Sequence, residues 1–158
     1  AMIDRDGNKT DIYESGKAVN EELRSFEKVY RQFNSNWLGV CPVYGTNNTS
    51  EDEFYFNKSM DALANPLELK HLSGLKGFES DEDVIIGYMK DGSGNPGFMV
   101  VNYNDSSWNK KVNAKMNFGD YTQAQVYRRG KKSVVDLKNG ILMLELEVGE
   151  GVFVIPCS

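Results

Sequence analysis

The sequence predicts a mainly β protein: an antiparallel β-sandwich preceded by one long amphipathic α-helix. Three observations carry this. Between Asp11 and about Phe33 the apolar residues Val19, Leu23, Phe26, Tyr30 and Phe33 recur at steps of three and four, the period of a helix. Beyond Asn34-Ser35-Asn36 that period disappears, and short apolar runs follow one another with turn residues between them. Two of these runs alternate strictly between apolar and polar residues, as half-buried antiparallel strands do.

The helix comes first. Asp11 and Glu14 have the spacing of a capping box, with aspartate as the expected N-cap. Gly16 costs about 1 kcal/mol relative to alanine inside a helix, which favours a start nearer Lys17. Glu21, Glu22, Arg24, Lys28 and Arg31 form the expected solvated face. The strands are read as WLGVCPVYG, EFYFN, DVIIGYMK, GFMVVNY, KVNAKMNF, QAQVYR, SVVDL, ILMLELE and GVFVIP, with residues 58–80 as an irregular connection. Val112, Ala114, Met116, Phe118, Leu142, Leu144 and Leu146 are expected in the core. Asn113, Lys115, Asn117, Glu145 and Glu147 are expected to face outward. Lys138-Asn139-Gly140 reads as a type I′ hairpin turn, and Arg128-Arg129-Gly130-Lys131-Lys132 as a turn between strands.

Composition narrows the functional classes. The chain has 158 residues, 40% hydrophobic and 26% charged, with a net charge of −5. That is the composition of a globular domain and lacks the basic face of a nucleic-acid binder. No run of about 18 apolar residues is present, so nothing in the sequence reads as a membrane-spanning helix. Cys41 and Cys157 are too few for a disulfide framework and do not define a compartment.

The chemical motifs mostly fail on inspection. Asp4-Arg5-Asp6-Gly7-Asn8 resembles the start of a calcium loop, but Lys9 and Ser15 stand where that loop needs glycine and glutamate. It reads instead as a turn. Gly92-Ser93-Gly94-Asn95-Pro96-Gly97 spells a dinucleotide fingerprint, but a strand follows it, not a helix, so it reads as a hairpin loop. His71, the only histidine, lies in the irregular connection and would meet Cys41 or a serine as a dyad only by chance of folding, and the histidine and cysteines are too few for zinc. Glu79, Asp81, Glu82 and Asp83 read as a solvated acidic run. No catalytic residue, metal site or cofactor is expected. Trp108, with Tyr103 and Tyr121 near it in sequence, is the candidate sugar-stacking platform, with Asn104, Asp105 and Asn109 as polar neighbours. The competing reading has Trp108 capping one end of the core.

Two stretches resemble a known family. Asp4, Gly7, Thr10, Tyr13, Val19, Asn20, Glu22 and Leu23 resemble the last loop and helix of the (β/α)8 barrel in bacterial β-galactosidase-like glycoside hydrolases. IGYMKD, GFMVVNYN, VYRRGK and the closing LELEVGEGVFVIP resemble the C-terminal β-sandwich that follows such barrels, immunoglobulin-like or amylase C-terminal-like. The resemblance implies a division into a barrel-derived helical segment, 1–36, and a sandwich, 37–158. It implies a non-catalytic accessory role, with catalytic carboxylates elsewhere in the parent enzyme. The expected partners are the parent barrel, a second copy through the exposed helix face, and carbohydrate in the alternative reading as a carbohydrate-binding module. Nucleic acid and membrane are not expected partners.

Overall fold

The computed structural model describes residues 2–41, 73–82, 84–104 and 109–158, with the backbone alone for 35–41. One helix, α1 (Asp11–Tyr30), precedes the strands. These are β1 (Phe33–Cys41), β2 (Gly77–Ser80), β3 (Val84–Asp91), β4 (Pro96–Asn102), β5 (Val112–Asn117), β6 (Gln123–Arg128), β7 (Lys131–Asp136), β8 (Ile141–Leu146) and β9 (Gly151–Cys157). A six-stranded sheet has the order β1-β3-β4-β9-β6-β7, and a three-stranded sheet has the order β2-β5-β8. Every pairing is antiparallel.

The sheets face each other across one core. Val84, Ile86, Phe98, Val100, Ala124, Val152 and Val154 from the large sheet meet Val112, Ala114, Met116, Leu142, Leu144 and Leu146 from the small one. All seven residues expected in the core from strand alternation are buried, and Glu145 is exposed. Lys115 is only half exposed, because its stem lies across the sheet towards Glu79, 3.1 Å from its ammonium.

A second apolar cluster lies on the outer face of the large sheet. Phe26 of α1 packs there against Met89, Tyr127 and Phe153, with Val29, Phe33, Met99 and Ile155 around them. Phe153 is the hub: the rings of Phe26, Tyr30 and Phe33 stand 6.3, 5.6 and 5.2 Å from it. Gly97 lies beneath, where an added Cβ would come within 2.8 Å of Phe33 and 2.9 Å of Phe153. The molecule thus has three layers: helix, six-stranded sheet, three-stranded sheet.

Several local expectations change. The helix starts at Asp11 and runs through Gly16, and its N-cap is Thr10. Residues 2–9 fold back as a small hairpin, with Thr10 N–H and hydroxyl both donating to Met2 O at 3.1 Å. That hairpin sets the Met2 methyl 3.2 Å from where a Cβ on Gly16 would stand, so the glycine makes room for it. The helix ends at Tyr30, and Phe33 opens β1, inside the segment read as helical. Glu22 is half-buried: its carboxylate accepts the Arg129 N–H at 2.6 Å and pins α1 to the β6–β7 turn. Within the connection read as irregular, Gly77–Ser80 forms β2. The EFYFN stretch and His71 lie outside the described residues.

Candidate functional site

The turn at Asp4 and the loop at Asp91 prove to be the same device. Each has the pattern Asp-x-x-Gly-Asn. Asp4 Oδ1 accepts N–H groups from Asp6 and Asn8, and its second oxygen accepts the Asn8 amide. Asp91 does the same with Ser93 and Asn95. Gly7 and Gly94 both sit at φ +85°, a left-handed conformation that suits glycine. Bonds from the asparagine hold both carboxyls below their ordinary pKa. The calcium-like and nucleotide-like spellings are therefore turns whose carboxylates bind their own loops. Among the described residues, no group of three His, Cys, Asp or Glu side chains is placed to hold a metal ion.

The acidic run is engaged across strands. Glu79 pairs with Lys115, Glu82 with Lys110 at 2.9 Å, and Asp81 accepts the backbone and side-chain N–H groups of Asn113 at 2.7 Å. Asp83 lies outside the described residues.

Of the three aromatic candidates, Tyr103 and Tyr121 can be placed, and they stand far apart. Trp108 and Asp105 lie outside the described residues. Tyr103 is half-buried and directly follows β4. Tyr121 stands near Gly74 and Pro96, at the start of β4. Six steps of strand separate Pro96 from Asn102, about 20 Å. Nearness in sequence misleads here because β5 carries the chain back along the sandwich between the two tyrosines. Tyr121 instead lines a shallow recess of about 330 Å³ with Lys76, Phe118, Asp120 and Ser158.

Two polar hubs carry no motif in the sequence. Asn102 is buried at 3% exposure, with its amide donating to Lys110 O and Glu147 O and its oxygen accepting from Asn104. It ties the end of β4 to the β8–β9 turn. Glu150, with a side chain 8% exposed, receives Arg128 Nε at 2.8 Å, Arg129 Nε at 2.7 Å and the Glu147 N–H at 2.8 Å. Burial raises its pKa, but the Arg128 bond, the Glu147 N–H and the arginine charges outweigh this, and the net shift is downward.

The most prominent surface lies on α1. Ile12, Val19, Leu23 and Tyr30, spaced 7-4-7, share one stripe, and they are exposed by 57, 56, 50 and 39%. The stripe is rotated roughly a quarter turn from Glu22, Phe26 and Val29, which face the sheet. Met2 and Ile3, in the hairpin before the helix, are exposed as well. The apolar stripe expected from periodicity is thus split: Phe26 is buried on the sheet, whereas Val19 and Leu23 are bare.

Fold and surfaces together define a helix-bearing antiparallel β-sandwich domain with an apolar helix face open to solvent. Compared with family models, curated proteins and solved structures, the chain matches none. The likeness to glycoside hydrolases rests on the residue patterns alone.

Proposed function

We propose that the chain is a non-catalytic accessory domain of a glycoside hydrolase, seated against the catalytic barrel through the exposed face of α1. The observation that carries this is the second apolar face. Phe26 and Val29 already anchor the helix to the sandwich. Ile12, Val19 and Leu23 add nothing to that anchorage, yet they repeat at helical spacing over most of α1. A contiguous apolar patch of this kind marks an interaction surface. The resemblance of residues 4–23 to a barrel's last loop and helix supplies the partner's class.

The reading frame around this segment tests the proposal first. An in-frame (β/α)8 barrel with two acidic strand-end residues supports it, and a frame without one overturns it. That barrel, expressed with and without this domain, then tests the docking. The domain should raise the barrel's melting temperature, and Leu23→Glu should abolish the gain. The isolated chain should turn over no aryl-galactoside or aryl-glucoside. Turnover that a single Asp or Glu substitution removes would sink the non-catalytic reading.

One observation favours a second reading, carbohydrate binding, and it concerns Tyr121 and not the Trp108 platform. Its recess combines an aromatic ring with Lys76 and Asp120, the mixture of apolar and placed polar groups that small-molecule sites use. Calorimetry with galactose, xylose and glucose oligosaccharides decides between the readings. A dissociation constant below about 1 mM that Tyr121→Ala abolishes selects carbohydrate binding at the recess. Loss in Trp108→Ala selects the platform read from the sequence instead.

A further inference from the structure

The large sheet ends at β7, and that edge has properties the α1 surface does not share. All six residues of β7 are exposed, including Val134 at 54% and Val135 at 37%. β6 pairs with one side of the strand, and among the described residues nothing pairs with the other. An edge of this kind displays unpaired N–H and C=O groups that another strand can complete.

The direction of those groups follows from the hairpin. Arg129 and Gly130 have φ +50° and +71°, a two-residue type I′ turn, so the flanking pair Arg128 and Lys131 exchange backbone hydrogen bonds. Leu137 N–H donates to Thr122 O at 2.7 Å, which gives the same phase at the far end. Backbone groups therefore alternate along β7. Those of Lys131, Ser133 and Val135 point at β6. Those of Lys132, Val134 and Asp136 point outward.

Residues that face each other in an antiparallel pair share the same phase. Two registers near the middle of β7 meet this condition, centred on Ser133 or on Val134; only the second brings opposite charges together, and it sets Val134 against its own copy on the two-fold axis. Lys132 then faces Asp136 of the copy, twice, and Ser133 faces Val135 twice. Lys132, Val134 and Asp136 lie on one face of the strand, so an apolar pair is flanked by two opposite-charge pairs. Parallel, in-register pairing would instead stack Lys131 and Lys132 on their own copies, and like charges opposite one another repel.

We propose that β7 is a homodimerisation edge: two copies of this chain join β7 to β7 antiparallel, making one twelve-stranded sheet. The occupant is a second copy because the strand is charge-complementary to itself in a register its backbone phase allows, the one centred on Val134. This surface is separate from the α1 face and does not depend on the reading given above.

Sedimentation equilibrium of the 158-residue chain, from micromolar to about 1 mM, tests it. A reversible monomer–dimer equilibrium is expected. Val134→Pro removes an N–H that points outward, a change an edge strand tolerates, so it should weaken the dimer at least about tenfold with an unchanged melting temperature. Lys132→Glu and Asp136→Lys should each weaken the dimer, and the double exchange should restore it. That rescue keeps the test decisive if the proline variant unfolds. A chain that stays monomeric throughout overturns the proposal. So does a dimer that survives Val134→Pro, or one that Leu23→Glu disrupts while the charge exchanges do not, since the contact would then lie on α1.

Discussion

Glu150 is the residue where burial and charge pull hardest against each other. Its carboxylate is taken out of water, which disfavours the charged form, yet two arginines and the Glu147 N–H hold it ionised. Replacing it with glutamine takes the negative charge away from Arg128 and Arg129. Because both arginines keep solvent access, Glu150→Gln is expected to cost about 1–3 kcal/mol in urea unfolding at pH 7. The pH dependence has a fixed sign. The folded-state pKa lies below the ordinary 4.5, so the group's contribution is present above that value and fades as the pH falls through the folded pKa. Unfolding at pH 7, 5 and 3 should therefore bring wild type and Glu150→Gln closer together only at the acid end. Asn102 is the uncharged counterpart. With both ends of its amide bonded in the interior, Asn102→Ala should lower stability by about 2–4 kcal/mol by the same measurement. Neither residue was legible in the sequence. Their roles arise from contacts between β4, β6 and the β8–β9 turn, and an asparagine or glutamate in a turn has no local signature of such partners.

The elements divide differently between what sequence states and what it omits. A strand has a period of two, so the alternation of β5 and β8 determined both the strand and its buried face. Leu144→Ala should cost about 2–5 kcal/mol, and Glu145→Ala within about 0.5 kcal/mol, as read by denaturant midpoints. Equal losses would mean that the faces are misassigned. The Lys138–Ile141 turn was equally legible, since Asn139 and Gly140 take the positive φ values of 54° and 72° that Asn-Gly favours. β2 was not: four residues, Gly-Phe-Glu-Ser, are too few to show a period, and pairing with β5 makes them a strand. The start of α1 was misplaced because the helix penalty of Gly16 was weighed without the Met2 side chain that packs 3.2 Å from its missing Cβ. Tyr103 and Tyr121 lie far apart for a topological reason. Loops adjacent in sequence emerge at opposite ends of a sandwich when one strand lies between them.

At the scale of the whole molecule the question is what the third layer is for. Periodicity established that α1 is amphipathic, but a helical period does not say which neighbour an apolar residue meets. The positions of Phe153 and Tyr127 on the sheet decide that Phe26 is buried while Leu23, three residues earlier, stands in solvent. This gives a prediction that separates a helix belonging wholly to the sandwich from one shared with a partner. In the isolated chain, Phe26→Ala opens a cavity beside three aromatic rings and should cost about 3–5 kcal/mol in thermal or urea unfolding. Leu23→Ala should change the same stability by no more than about 0.5 kcal/mol, because the residue buries little. Joined to a partner that covers the stripe, Leu23→Ala should acquire a cost of the size expected for a buried leucine, about 2 kcal/mol or more, while Phe26→Ala should change little from its value in isolation. A Leu23 substitution that is already costly in the isolated chain would mean that the stripe is satisfied within the domain, and the docking surface would have to be sought elsewhere.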